Sequence, residues 1–313
     1  MSNITKKDFF VASSDGVHKL AGKIYMPKTD VKGFFQIVHG MTEHIARYDR
    51  IMTDLAEAGY LCFGYDQVGH GYTARDDGEL GFIAHKNGHE LLAKDVKQFS
   101  DAVFSEYGKT PDTPYILMGH SMGSFVVRYS TSRYVNPDKL IIMGTAGANP
   151  AADAGLMLIS VIKALKGEKH FSPLIDGIAF GSYNKRFGGG SAEDPKPWLT
   201  NDEEIRKIYY ADRFCSFKFS VSAMGDLIRL IKYANRSSCY KNTPKEMPVL
   251  LVSGTEDPVG NYGKGVTEVH KKLVRSGHDS KMVLYPDARH EILNDHCYAE
   301  VKKNILDFID GKK

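Results

Sequence analysis

Tyr115-Ile116-Leu117-Met118-Gly119-His120-Ser121-Met122-Gly123-Ser124-Phe125-Val126-Val127 reads as a short apolar run, a serine between glycines, and a second apolar run. The first run has the length and character of a buried strand, and the second opens a helix. Between them the chain must turn sharply, with Ser121 at the apex. A turn this tight brings the strand and helix backbones together. Glycines two before and two after the apex remove the β-carbons that would collide there. The serine is left in a strained conformation with its hydroxyl projecting, the geometry of a nucleophile elbow.

Working outward, Phe9–Ala12 and Leu20–Met26 suggest an antiparallel hairpin across the turn-rich Ser13-Ser14-Asp15-Gly16. Strands and helices then alternate: strand Gly33–Val38, helix Arg47–Ala58 stopped by Gly59, strand Tyr60–Tyr65, helix Gly88–Tyr107, the Ser121 unit, and strand Leu140–Met143. Short continuous apolar strands separated by amphipathic helices predict an α/β fold, a mostly parallel central sheet covered by helices on both faces. The rhythm breaks from Gly147 to about Lys245, where no strand pattern occurs. It resumes with strand Pro248–Val252, a helix over Gly265–Arg275, strand Lys281–Tyr285 and a final helix Glu291–Ile309. The expected organisation is a core of residues 1–146 and 246–313, with a mainly helical cap (lid) inserted over 147–245.

The bulk properties narrow the class. The chain has 313 residues, 42% of them hydrophobic and 25% charged, as in ordinary globular proteins. A net charge of +3 is dispersed, with no basic stripe, so nucleic acid is not an expected partner. Four widely spaced cysteines without a CxxC pair suit a reduced, cytoplasmic protein. The segment Met1–Lys7 lacks the apolar core of a signal peptide, and Asp310–Lys313 reads as a short solvated end. The longest apolar stretch, Leu156–Leu165, is broken by Ser160 and Lys163 and falls far short of a membrane span.

An elbow serine needs a base, and the base needs an acid. On a parallel sheet both are expected on loops leaving the carboxyl ends of later strands, in the order serine, acid, base. Ser253-Gly254-Thr255-Glu256-Asp257-Pro258 follows one such strand, and Pro286-Asp287-Ala288-Arg289-His290 follows the last. The candidate catalytic residues are therefore Ser121, Asp257 and His290, with Glu256 the next-best acid and His296, inside the final helix, the runner-up base. An oxyanion needs preorganised donors. The N–H of Met122, at the positive end of its helix, is one candidate, and the N–H of Met41, in the loop His39-Gly40-Met41-Thr42-Glu43-His44, is the other.

Other patterns weaken on inspection. Gly69-His70-Gly71-Tyr72-Thr73-Ala74 matches GxGxxA, but Arg75-Asp76-Asp77-Gly78 stands where a dinucleotide-binding helix would begin. His85 and His89 have helical metal-ligand spacing, yet Gly88 intervenes and no third ligand is evident, so both read as solvated or capping residues. Gly188-Gly189-Gly190 lacks an adjoining Lys-Ser/Thr and reads as a flexible cap loop.

The motifs together resemble the monoacylglycerol lipases and their bacterial lysophospholipase-like relatives among the α/β-hydrolases. His39-Gly40-Met41-Thr42-Glu43-His44 with Arg47-Tyr48 and Gly59-Tyr60 is similar to their HGxxEHxxRY…GY block. Asp66-Gln67-Val68-Gly69-His70-Gly71 resembles DxxGHG, and Gly119–Gly123 matches the elbow. The resemblance covers about residues 20–147 and 245–310. In the cap only Pro197–Asp202 resembles the bacterial branch, and Thr73 stands where serine is common. The resemblance implies an α/β-hydrolase fold and a role in lipid metabolism: a serine esterase cleaving single-chain acyl esters (monoacylglycerol or lysophospholipid type) through an acyl-enzyme. It places acid and base at Asp257 and His290 and the oxyanion donors at Met41 and Met122. Neither metal nor organic cofactor is required.

The cap aromatics Phe171, Phe180, Phe187, Trp198, Phe214, Phe217 and Phe219 suit an acyl pocket, each mainly burying the cap on the core. A cap patch touching lipid aggregates or a membrane surface is a further expectation. Two competing readings stand beside the esterase. A serine aminopeptidase would need cap carboxylates for a substrate ammonium, and Glu193, Asp194, Asp202, Glu203 and Glu204 are available though better suited to solvent. A non-catalytic binding protein should show damaged triad positions, and none is damaged.

Overall fold

The structure, a computed structural model, describes residues 3–312, so Met1, Ser2 and Lys313 at the two ends lie outside it. Eight strands form one sheet: β1 (Ile4–Ala12), β2 (Lys19–Pro27), β3 (Gly33–Val38), β4 (Tyr60–Tyr65), β5 (Tyr115–His120), β6 (Lys139–Met143), β7 (Val249–Gly254) and β8 (Ser280–Tyr285). Their order is β1-β2-β4-β3-β5-β6-β7-β8. β2 pairs antiparallel with both neighbours, and every pair from β4 to β8 is parallel. The register aligns the carboxyl ends: Val38 faces Gly119, His120 faces Met143, Met143 faces Val252, and Gly254 faces Tyr285. Loops leaving β3, β5, β7 and β8 therefore emerge along one sheet edge, where open α/β sheets bind ligands.

The continuous apolar character of the parallel strands follows from helices on both sides. Alternate residues divide between two cores. Phe34, Val38, Phe63, Leu117, Ile142 and Leu251 belong to one cluster, shared with Leu92 and Phe99 of α2 (Gly88–Tyr107) and Phe125 and Val126 of α3 (Met122–Thr131). Phe35, Ile37, Cys62, Met118, Ile141 and Leu250 belong to the other, with Ile51 and Leu55 of α1 (Asp49–Glu57) and Val301 and Ile305 of α10 (Tyr298–Ile309). The mostly parallel sheet with helices on both faces is thus the α/β fold read from the sequence. α2 stops at Gly108, whose φ of 67° lets its N–H close back on the Phe104 carbonyl.

Five helices lie between β6 and β7: α4 (Ala152–Lys166), α5 (Pro173–Phe180), α6 (Glu203–Ala211), α7 (Val221–Ala234) and α8 (Ser237–Asn242). α7 packs against α3 and α2, and its Val221 and Leu230 join the sheet's own core cluster. α9 (Lys264–Arg275) follows β7.

The expected final helix is shorter at its start. Ile292–Asn294 is a single 3₁₀ turn, and the α-helix begins only at Tyr298. The reason is the Asp295 carboxylate, which accepts the N–H groups of Arg289, His296 and Asn201 and so holds this stretch as a loop. His296 consequently lies outside the helix, half-exposed and bonded to Asp295.

Candidate active site

Ser121 caps the N-terminus of α3 with φ 53° and ψ −119°, a backbone conformation that L-residues rarely adopt. The flanking glycines are explained by close approach. A β-carbon on Gly119 would sit 2.3 Å from the Gly123 carbonyl oxygen, and one on Gly123 would sit 2.1 Å from that of Val38. Both distances are far inside van der Waals contact, so strand, turn and helix close only with glycine at these positions.

Asp257 is wholly buried in the loop after β7. Its carboxylate accepts from His290 Nδ1 at 3.0 Å, Ser253 Oγ at 3.1 Å and the Val259 N–H at 2.9 Å. Burial opposes its ionisation, but the facing His290 and these donors outweigh burial and hold it below the usual carboxylate value. With Nδ1–H committed to Asp257, Nε2 is left as the ring's acceptor. His290 packs on His120, the residue before Ser121, with ring centroids 4.7 Å apart. Among the described residues no hydrogen bond joins the Ser121 hydroxyl to His290, and such contacts often tighten only when substrate binds. Glu256 faces away, toward Arg186 at 3.6 Å.

Met41 and Met122 lie on the two segments that meet at the elbow. Met122 is the first residue of α3, where N–H groups have no intrahelical acceptor. Met41 follows Gly40, and a β-carbon on Gly40 would lie 2.9 Å from Ser121 Cβ. The loop between them is fixed from several directions. Gly40 N–H donates to Glu43 Oε1. His39 Nδ1 donates to the Gly40 carbonyl at 2.8 Å while its Nε2 accepts the Gln67 N–H at 2.9 Å, which holds the ring neutral in burial. Thr42, with φ 50°, bonds through its hydroxyl and carbonyl to Tyr209 of α6 at 2.8 and 2.9 Å.

Several of these groups carry no assignment in the sequence reading. Glu43, Arg47, His120 and Glu291 form a buried charged cluster. Glu43 and Arg47 stand inside the motif block already quoted, so their spacing was a visible signal; Glu291 gave none. A cavity lined by Glu43, Arg47, Tyr48, His120, Glu291 and Asn294 borders this cluster and does not include Ser121, Asp257 or His290.

The segment between β6 and β7 reaches His290 directly. His290 N–H donates to the Trp198 carbonyl at 3.4 Å and Glu291 N–H to that of Leu199 at 2.7 Å. The Trp198 ring lies 5.3 Å from His290, with Tyr183 and then Phe180 behind it. Phe217 and Phe219 stack together against His70, and Phe214 packs on His44 and Tyr72. Phe187 lies on Arg289 and Phe171 under Lys218.

The remaining candidates resolve into packing. Gly71–Thr73 is a 3₁₀ turn held by Asp66, whose carboxylate accepts the Ile45 and Tyr72 N–H groups at 2.8 Å. Thr73 Oγ1 donates to the Asp66 carbonyl and accepts the Ala21 N–H, so its hydroxyl ties the turn to β2. His85 precedes α2 and pairs with Glu168, whereas His89 is buried in its first turn against Asp226 at 3.2 Å. The solvated reading thus fails for His89, because α7 covers it. Asp194 binds Arg206 and Tyr210, Asp202 caps α6, Glu203 lies 3.9 Å from Arg206, and Glu204 pairs with Lys207. His44, Asp212 and Cys215 have potential ligand atoms within 4.8 Å of one another. His44 Nε2 is bonded to Asp212 at 2.8 Å, and burial pushes the Cys215 thiol up, so the group reads as a tie between the loop after β3 and the end of α6. No helix among the described residues is long and apolar enough to cross a membrane.

A family described as "Hydrolase_4: Serine aminopeptidase, S33" matches residues 29–296. A monoglyceride lipase homolog of Monkeypox virus is 35% identical over 289 residues, covering 92% of this chain and 91% of its own. A monoacylglycerol lipase of Mycolicibacterium smegmatis is 24% identical, covering 94% of each chain. Among solved structures, a thermostable carboxyl esterase from Bacillus coagulans in complex with glycerol superposes with a TM-score of 0.90 at 29% identity, covering 98% of each chain.

Proposed function

The chain belongs to the Hydrolase_4 family and is a serine ester hydrolase, and we propose that it cleaves single-chain acyl esters of the monoacylglycerol or lysophospholipid type through Ser121, His290 and Asp257. The observation that carries this reading is the buried His290–Asp257 pair, 3.0 Å long, beside a serine held at φ 53°. His290 Nε2 takes the Ser121 proton as Oγ bonds to the ester carbonyl carbon. The N–H groups of Met41 and Met122 receive the oxyanion. The alcohol leaves with the proton from His290, giving an acyl-enzyme. His290 then activates water, and its proton returns to Ser121 as the acid departs. Asp257 holds the ring and stabilises its cation.

The cap, residues 147–245, supplies the acyl wall in this reading. Phe180, Tyr183 and Trp198 form an apolar path ending at His290, and each methylene buried along it would contribute about 0.8 kcal/mol. Met157, Val161 and Leu165 on one face of α4, with Leu174 and Ile178 of α5, are exposed and suit contact with the lipid aggregate holding the substrate. Four free, buried cysteines support a reducing, cytoplasmic setting. The aminopeptidase reading gains little from the segment between β6 and β7, since Asp194 is bound to Arg206, Glu204 pairs with Lys207 and Asp202 caps α6.

The test is a panel of acyl esters varying in chain length and head group, with Ser121→Ala as the blank. Medium- to long-chain monoacylglycerols or lysophospholipids should turn over, with kcat falling about 10⁴-fold or more in the variant. Full turnover by Ser121→Ala, or faster cleavage of aminoacyl-arylamides, would reject the reading.

A further inference from the structure

We propose that Arg47, clamped between Glu43 and Glu291, is a positioning residue that sets the oxyanion loop against the base loop; this rests on the catalytic reading above. Arg47 grips Glu291 with both guanidinium nitrogens, Nη1 to Oε1 and Nη2 to Oε2 at 2.7 Å each, and Nη1 also reaches Glu43 Oε2 at 3.1 Å. The second Glu43 oxygen receives the Gly40 N–H, the Tyr48 hydroxyl at 3.0 Å and His120 Nδ1 at 3.1 Å. His120 Nε2 faces the His290 carbonyl at 3.4 Å.

The residues held are the chain neighbours of the reacting groups: Gly40 before Met41, His120 before Ser121, Glu291 after His290. A single ionic unit thereby fixes three loops that share no sequence proximity. Two carboxylates face one guanidinium and the His120 ring, which Glu43 holds toward its charged form against burial and whose two nitrogens lie near acceptors. All four side chains are almost wholly buried, and burying charge costs so much that partial pairing would be unstable. The guanidinium fork imposes a plane and two fixed bond directions, which a lysine ammonium cannot reproduce. The Tyr209 ring of the cap lies 4.8 Å from the same guanidinium, and its hydroxyl holds Thr42, so the cap bears on the unit too.

A shift of this unit would move the Met41 N–H and the His290 ring relative to Ser121, and such a misplacement slows chemistry more than binding. The experiment measures kcat and KM on one medium-chain acyl ester, the rate of Ser121 labelling by a fluorophosphonate, and the thermal unfolding midpoint, for native protein, Arg47→Lys, Arg47→Met and Glu291→Gln. Each variant is assayed well below its own midpoint. The expected result is a kcat lowered about 100-fold in Arg47→Met and at least about 10-fold in Arg47→Lys. KM should stay within about twofold, labelling should slow in parallel, and added guanidinium should partly restore kcat in Arg47→Met alone. Native kcat in folded Arg47→Lys and Glu291→Gln overturns the proposal, even with lowered midpoints, because it leaves the cluster a purely structural role. If Arg47→Met does not fold, these two variants decide. A native protein that neither turns over esters nor labels at Ser121 overturns the catalytic reading instead.

Discussion

Asp257 shows how a single side chain is tuned by its surroundings. Buried without partners it would be neutral; the facing His290 imidazole and two further donors, from Ser253 and Val259, favour its anion. Replacing it by Asn keeps the shape but offers an N–H where His290 needs an acceptor, which favours the wrong tautomer. Asp257→Asn should lower kcat by about 10⁴-fold with a circular dichroism spectrum like the native one. The elbow glycines make a sterically sharper case. Gly123→Ala would drive a β-carbon to 2.1 Å from the Val38 carbonyl oxygen, a backbone atom that cannot swing aside. It should destabilise the protein by about 1–3 kcal/mol in denaturant unfolding and abolish Ser121 labelling.

Among the elements, α6 joins the segment between β6 and β7 to the loop after β3. Asp202 opens it by accepting the N–H groups of Glu204 and Ile205, and Tyr209 near its end reaches Thr42. Asp202→Ala should cost about 1 kcal/mol in urea unfolding, with kcat little changed. Tyr209→Phe should preserve α6 and lower kcat instead. Equal effects of the two substitutions on both quantities would show that α6 does not act through the loop. The periodicity of α1 and α2 was plain in the sequence because each buries one stripe against a sheet face. The loop before α10 was not, since the Asp295 side chain that interrupts the helix binds Asn201, a residue far away in the cap.

The pH response belongs to the whole molecule, because its charges come from distant segments. For Glu43 and Glu291 burial opposes ionisation, but His120 and Arg47 respectively outweigh it and hold both below their ordinary values, as the loop donors do for Asp257. Their stabilising contribution is therefore full above about pH 5 and is lost as pH falls through the depressed native values. His120 behaves oppositely: burial lowers it, but Glu43 raises it further, so its contribution is full below about pH 6 and fades as pH rises through the raised native value. Unfolding midpoints should form a plateau between these limbs, and His120→Asn should flatten the alkaline limb. The exposed apolar face of α4 makes a separate prediction. Met157→Asp with Leu165→Asp should slow hydrolysis of aggregated long-chain ester several-fold and leave a soluble short-chain ester unaffected. Equal loss on both substrates would count against lipid contact.

The alternation of strands and helices, the elbow at Ser121, and the loops carrying Asp257 and His290 are legible in the chain before it folds. Those features are written in local periodicity and in glycine spacing, which depend on a chain's near neighbours. How buried charges pair is set on folding, because Arg47 and Glu291 stand 244 residues apart and meet through the register of a parallel sheet. The same holds for His89, which reads as solvated or helix-capping until α7 covers it, and for Asp194, which reads as solvated until Arg206 binds it. Burial turns a charge from a solvated group into one that must find a partner, and burial is a property of the assembled fold.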